Sequence, residues 1–287
     1  MKKIHHDWLD YARFLAAMSV CWFHYCANGI RNGKISSISD FGVFGKVAEY
    51  GYLGVDLFFV ISGFVVLYGA INKSADEFVV ARVVRIYPAY IFCMTLTAIV
   101  LIVSGKGVGL LQYIANLTMI ASYFGFENMD GVYWTLALEL IFYSLIWVII
   151  FTGQVKRVEV VVFAWIFLMA IFRMLNLRVP LFSGYFSLFA GGCVLAFVYR
   201  RGFDWKAVIF LIVAILVSVL EAVERSVAVA VSRGVDIDGY VIAFITILLF
   251  FPFLIFKGRS VRLPYARIIG SLTYPFYLLH AYIGYTI

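Results

Sequence analysis

The chain has 287 residues, of which 64% are hydrophobic and 14% charged, with 28 Phe and a mean hydropathy of +0.98. A core of this size cannot hide so much apolar surface from water, which excludes a soluble domain and leaves an integral membrane protein. The net charge of +7 does not call for nucleic acid, because most Lys and Arg residues gather between apolar runs, as membrane topology requires.

The apolar runs are about twenty residues long and lack short alternating segments, so the expected class is an all-α, polytopic transmembrane bundle. Nine spans are expected, near 8–29, 50–71, 88–104, 133–151, 158–175, 180–199, 205–223, 237–256 and 270–287. Residues 110–124 are apolar but short and interrupted by Gln112, Asn116 and Ser122, so they read as re-entrant or interfacial. No cleavable signal peptide is evident, since residues 1–7 lead straight into a full-length span.

Alternate loops then carry fourteen and eight basic residues, the richer side holding Lys2, Lys3 and the clusters 73–85, 156–157, 200–206 and 257–267. That bias places the amino terminus in the cytoplasm. A crossing by 110–124 would reverse it to nine against thirteen. No linker, low-complexity tract or internal repeat divides the chain, so residues 1–287 read as one membrane domain.

The first span, WLDYARFLAAMSVCWFHYCANG, carries Arg13 and His24. Eleven residues are three turns plus about 20°, so both side chains leave one helical stripe, roughly 16 Å apart along the axis. Ionisable groups at that depth cost at least a few kcal/mol unless they face a protein interior or a wet cavity, which marks them as functional candidates. His5 and His6 precede the apolar region and are expected in solvent or among headgroups.

Asp56 follows in the second span, with Tyr52 four residues earlier on its face. It reads either as a packing position paired with a neighbouring arginine or as part of the site. Gly51, Gly54, Gly63 and the pair Gly191–Gly192 suit close helix contacts. Ser74 and Glu77 form a capping box, so a short helix is expected from there to Pro88, carrying Phe78, Arg82 and Arg85 on one stripe. Two guanidiniums in that position satisfy a helix carboxyl end, or they clamp a phosphate-rich donor such as a coenzyme A thioester.

The fourth span opens with Trp134, an interfacial residue, and then Glu139, with Tyr143 on its face. Glu139 near His24 would orient the imidazole, whereas Glu139 near Arg13 would be structural. His280 is a further membrane histidine that bridges helices or supports substrate. Cys21, Cys26, Cys93 and Cys193 lie in apolar runs without a CxxC pattern and read as small hydrophobes, with no disulfide and no metal site expected.

In order along the chain, LDYARFLAAMSVCWFH, GYLGVDLFFVISGFV, FVVARVVRIYPAY, WTLALELIFY and LTYPFYLLHAY resemble the signatures of acyltransferase family 3, bacterial inner-membrane O-acyltransferases that modify surface and exported glycans. The resemblance implies a ten-helix membrane domain that uses acyl-CoA, usually acetyl-CoA, from the cytoplasm as a donor substrate, with no permanently bound cofactor. It implies a sugar hydroxyl on a polysaccharide or glycolipid as the acceptor. His24 and Arg13 match the first-helix pair, Arg82 and Arg85 the RxxR pair, and Glu139 the acid of the WxxxxE segment. The family chain ordinarily continues past YLLH into one more helix, so this chain is expected to lack that last helix.

Direct transfer, with neutral His24 as general base and Arg13 stabilising charge, fits these residues. A covalent intermediate lacks a nucleophile elbow or a Cys-His pair. The competing reading is a transporter or channel that uses the buried Arg, His, Asp and Glu as a polar pathway.

Overall fold

The computed structural model describes residues 6–36, 41–259 and 261–286, apart from the side chains of Ser232 and Arg233; His5, Lys2 and Lys3 lie outside the described residues. Every regular element in them is helical. The principal helices are α1 (Asp7–Phe23), α2 (Gly54–Ala70), α3 (Ala75–Val103), α4 (Trp134–Phe151), α5 (Val158–Met174), α6 (Phe186–Arg201), α7 (Trp205–Arg233), α8 (Gly239–Leu248) and α9 (Ala266–Leu279). A helix therefore occupies each of the nine apolar runs. Four stretches, Gly42–Ala70, Ala75–Val103, Gly131–Phe151 and Trp205–Val231, are long and apolar enough to cross a bilayer by length and composition. Residues 110–124 form only Leu110–Asn116 and the short turn Ala121–Phe124, too little to cross.

Several boundaries differ from expectation, two of them at charged residues. The chain does not stop at Pro88: α3 runs through it for 29 residues, and Arg82 and Arg85 sit on that continuous helix. A proline removes one backbone donor, but ending the helix among apolar neighbours would strand several backbone groups without water, so continuing through the proline is the smaller cost. Likewise α7 extends to Arg233, so Arg225 belongs to a helix rather than to a loop. Ser74 immediately precedes α3, as the capping box requires.

The chain forms two compact units. The first combines residues 1–8, 53–75 and 145–262. Within it α2 lies directly on α6 through glycine: a Cβ on Gly63 would stand 2.1 Å from the Phe189 carbonyl oxygen, and one on Gly192 would stand 2.2 Å from that of Val60. Small residues let the backbones approach this closely, and the gain is dispersion contact rather than hydrophobic burial. His6 packs edge-on against Tyr199, with ring centroids 5.8 Å apart.

Buried charge in this unit is paired. Asp56, 1% exposed, accepts from Arg225 at 2.8 Å, and the Arg225 guanidinium lies 3.9 Å over the Tyr185 ring. Glu221 accepts from Arg178 at 2.7 Å and from the Gly184 backbone N–H at 3.0 Å, while Arg173 reaches Glu224 at 2.9 Å.

The second unit combines residues 9–52, 76–144 and 263–287, so it holds α1, α3, most of α4, and α9. Ser19 on α1 donates to the Gly51 carbonyl at 2.8 Å, and a Cβ on Gly51 would stand 2.3 Å from the Ser19 carbonyl oxygen. Tyr52 belongs here, its ring edge-on to Phe23 with centroids 5.4 Å apart. The loop before α4 is tied by the buried Asn116, whose side chain donates to the Glu127 carbonyl and accepts from the Met129 N–H, both at 2.9 Å. These ties fix where α4, and with it Glu139, begins.

Candidate active site

Arg13, His24, Arg82, Arg85, Trp134, Glu139, Tyr143 and His280 fall in the second unit, and Asp56 in the first. The residues of the second unit form two groups, one around Arg13 on α1, a regular α-helix from Asp7 to Phe23, and one around His24, which opens the turn that follows it. Along the α1 axis the groups stand roughly 16 Å apart.

The first group is built on guanidinium. Arg13 lies 3.5 Å from Asp10 and interacts electrostatically with Arg85, Glu139 and Tyr143. The Tyr143 hydroxyl donates to Glu139 one turn earlier on α4, and it also feels Arg82 and Arg85. Arg82 is held over the faces of Phe78 and Tyr143, 5.8 and 5.7 Å from their centroids, and its buried Nε has no hydrogen-bond partner. Arg13, Arg82 and Arg85 thus gather around Glu139 and Tyr143, with Asp10 beside Arg13. Such a set attracts an anion, and guanidinium forks match phosphate oxygens. Glu139, whose partner the motif spacing left open, stands with Arg13 and Tyr143 in this group.

The second group is built on imidazole. At His24 the helix changes to a π-helical turn, His24–Asn28, before Gly29–Arg31 completes it. Single π-turns are rare and recur at functional sites because the extra residue re-aims the side chains around it. His24 Nδ1 lies 2.8 Å from the Tyr285 hydroxyl, which itself donates to the His24 carbonyl at 3.1 Å. A hydroxyl has one proton to give; with that proton on the carbonyl, its oxygen accepts from Nδ1–H and the lone pair of the neutral ring sits on Nε2. Lys34 lies 4.8 Å over the Tyr285 ring. The Tyr25 hydroxyl donates to the His280 carbonyl, and the His280 ring packs edge-on to His24 with centroids 5.1 Å apart.

Helix α9 reaches this group because it breaks at the right place. It ends at Leu279, and Tyr282–Thr286 restarts after a two-residue turn. Asp130, 1% exposed, holds that restart: one carboxylate oxygen accepts from the Tyr282 N–H at 2.7 Å, the other from the Val132 N–H at 3.1 Å. Asp130, Tyr285 and Tyr25 were not singled out from the sequence. Of these, only Asp130 carried a local signal, as an Asp before Gly131 at the start of a helical turn. Trp134, the first residue of α4, is 37% exposed at the protein surface, where an indole suits an interface. Asp56 belongs to the Arg225 ion pair of the first unit.

A family model described as an acyltransferase domain, acyltransferase family 3, matches residues 6–287. The chain is also similar to Nodulation protein 10 of Rhizobium leguminosarum bv. viciae, 33% identical over 112 residues, which covers 31% of this chain and 30% of that protein. The match therefore spans less than a third of that relative's length. No solved structure matches.

Proposed function

The chain belongs to acyltransferase family 3, and from that membership we propose that it moves an acyl group, acetyl before any other, from cytosolic acyl-CoA to a hydroxyl of a cell-surface or exported polysaccharide or glycolipid. Acyl-CoA is a substrate in this scheme and leaves as coenzyme A.

The observation that carries the proposal is the arrangement along the first helix: an imidazole just past the end of α1 with its Nδ1 held by Tyr285, and a guanidinium cluster around Arg13 about half a bilayer away. Arg82, Arg85 and Arg13 receive the phosphates of the donor, and the extended pantetheine arm carries the thioester along α1 toward His24. His24 Nε2 then takes the proton of the acceptor hydroxyl as its oxygen attacks the thioester carbonyl. Collapse of the tetrahedral adduct breaks the C–S bond, and the imidazolium returns its proton to the thiolate, giving ester and free thiol. General-base assistance of this kind contributes about 10²–10⁴ in rate. The excess of basic residues at the Arg82 and Arg85 end supports a cytoplasmic amino terminus in the inner membrane, with the acceptor entering nearer His24.

The test is transfer of label from radioactive acetyl-CoA into base-labile, non-CoA material in membranes containing the wild type or His24→Ala. Loss of transfer in His24→Ala with coenzyme A binding intact is expected. Equal labelling with and without His24 would sink the proposal.

A further inference from the structure

His280 is 4% exposed, and the orientation of its ring is set twice over. Phe276 stacks on it at 6.0 Å with an interplanar angle of 24°, and its Nδ1 lies 2.7 Å from the Tyr277 carbonyl oxygen. A carbonyl only accepts, so Nδ1 carries the proton and Nε2 presents a lone pair. That Nε2 is buried and has no hydrogen-bond partner. A stranded acceptor costs about 1–3 kcal/mol. The ring faces His24 at 5.1 Å between centroids, so the unpartnered atom belongs to the imidazole end of the site.

We propose that His280 Nε2 binds the acyl acceptor: it receives a hydrogen bond from a second hydroxyl next to the one that His24 deprotonates, so the acceptor presents a diol. This rests on the acyl-transfer function proposed above. His280, with Nδ1 already engaged and Nε2 unpartnered, is matched to an O–H donor beside the hydroxyl that His24 activates and poorly matched to a carboxylate or phosphate, which brings no proton. A single alcohol would leave His280 unsatisfied, so the same atom discriminates polyols from simple alcohols.

Two substitutions separate this role from a purely structural one. His280→Asn keeps a donor at the Nδ1 position for the Tyr277 carbonyl and deletes the Nε2 acceptor. His280→Gln places an amide oxygen near Nε2 and gives up the Nδ1 contact. Transfer of label from acetyl-CoA into membrane glycan should fall about tenfold or more in the Asn variant, the size of one hydrogen bond, with coenzyme A binding retained. The Gln variant should transfer faster than the Asn variant. Asn equal to or better than Gln would overturn the proposal, because the ring would then serve the helix end. Loss of coenzyme A binding along with transfer in the Asn variant would also overturn it, since the ring would be holding the fold. Unchanged transfer in His24→Ala, run in parallel, would instead bring down the acyl-transfer function and this inference with it.

Discussion

Asp130 accepts the Tyr282 backbone N–H at 2.7 Å across 152 residues of sequence, and this bond pins the break in the chain that brings both His280 and Tyr285 up to His24. The carboxylate touches neither imidazole in that bond, yet it holds the break that lies between His280 and Tyr285. Asp130 is a positioning residue.

Replacing Asp130 with Ala leaves two buried N–H groups, those of Val132 and Tyr282, without their acceptor. Each such loss costs about 1–3 kcal/mol. We expect Asp130→Ala to lower the Tm in detergent and to reduce transfer more than coenzyme A binding, measured side by side on the purified protein. Full transfer at wild-type rate would show that the break forms without it.

Tyr285→Phe removes the hydroxyl that engages His24 Nδ1 while keeping the ring. The imidazole is then free to carry its proton on either nitrogen, and the fraction presenting Nε2 as base falls. The expected result is a fall in kcat of about tenfold with little change in KM for acetyl-CoA, because the guanidinium group is untouched. A rise in that KM with unchanged kcat would contradict the assignment.

Arg82→Ala with Arg85→Ala should weaken coenzyme A binding, read by calorimetry or competition, by at least about tenfold, given charge-assisted bonds of about 1.5–3 kcal/mol each. Dephospho-coenzyme A should lose less from these substitutions than coenzyme A, since it brings fewer phosphate charges. Arg82→Lys should fall short of restoration, because a point charge cannot take the place of a planar group held over Phe78 and Tyr143.

Asp56→Asn leaves the Arg225 guanidinium facing a neutral amide in a buried site, and a loss of about 3–5 kcal/mol is typical when one partner of a buried pair is removed. Asp56→Asn combined with Arg225→Met should recover much of the thermal stability, since a buried ion pair is commonly replaceable by apolar packing. Transfer in the recovered double variant should approach that of the wild type. Stability restored without activity would give Asp56 a role in the reaction instead.

Gly192→Ala should be far more damaging than Gly69→Ala. A Cβ at 192 meets the Val60 carbonyl at 2.2 Å, whereas one at 69 meets nothing within 4 Å. Overpacking of this kind costs about 1–3 kcal/mol or more, visible as a lower yield of folded protein by size-exclusion chromatography. Equal behaviour of the two variants would mean that α2 and α6 can separate without penalty.

The sequence by itself determined whatever depends on local periodicity. Apolar runs of bilayer length set the class, and the spacing of Arg13 and His24 put them on one stripe before any fold was known, because residues eleven apart in an α-helix share a face regardless of what surrounds them. The same logic located Tyr143 one turn from Glu139. Local rules failed at Pro88, where lipid changes the cost of ending a helix, and fell silent wherever a partner lies far along the chain. Arg225 meets Asp56 across 169 residues and Tyr285 meets His24 across 261, and no spacing rule reaches that far. Only the tertiary structure decided that Glu139 stands with Arg13, that Asp130 holds the break after α9, and that the His280 ring packs against His24. Those outcomes are set by which helices pack together, and the packing energy is spread over many weak contacts that no short stretch of residues encodes.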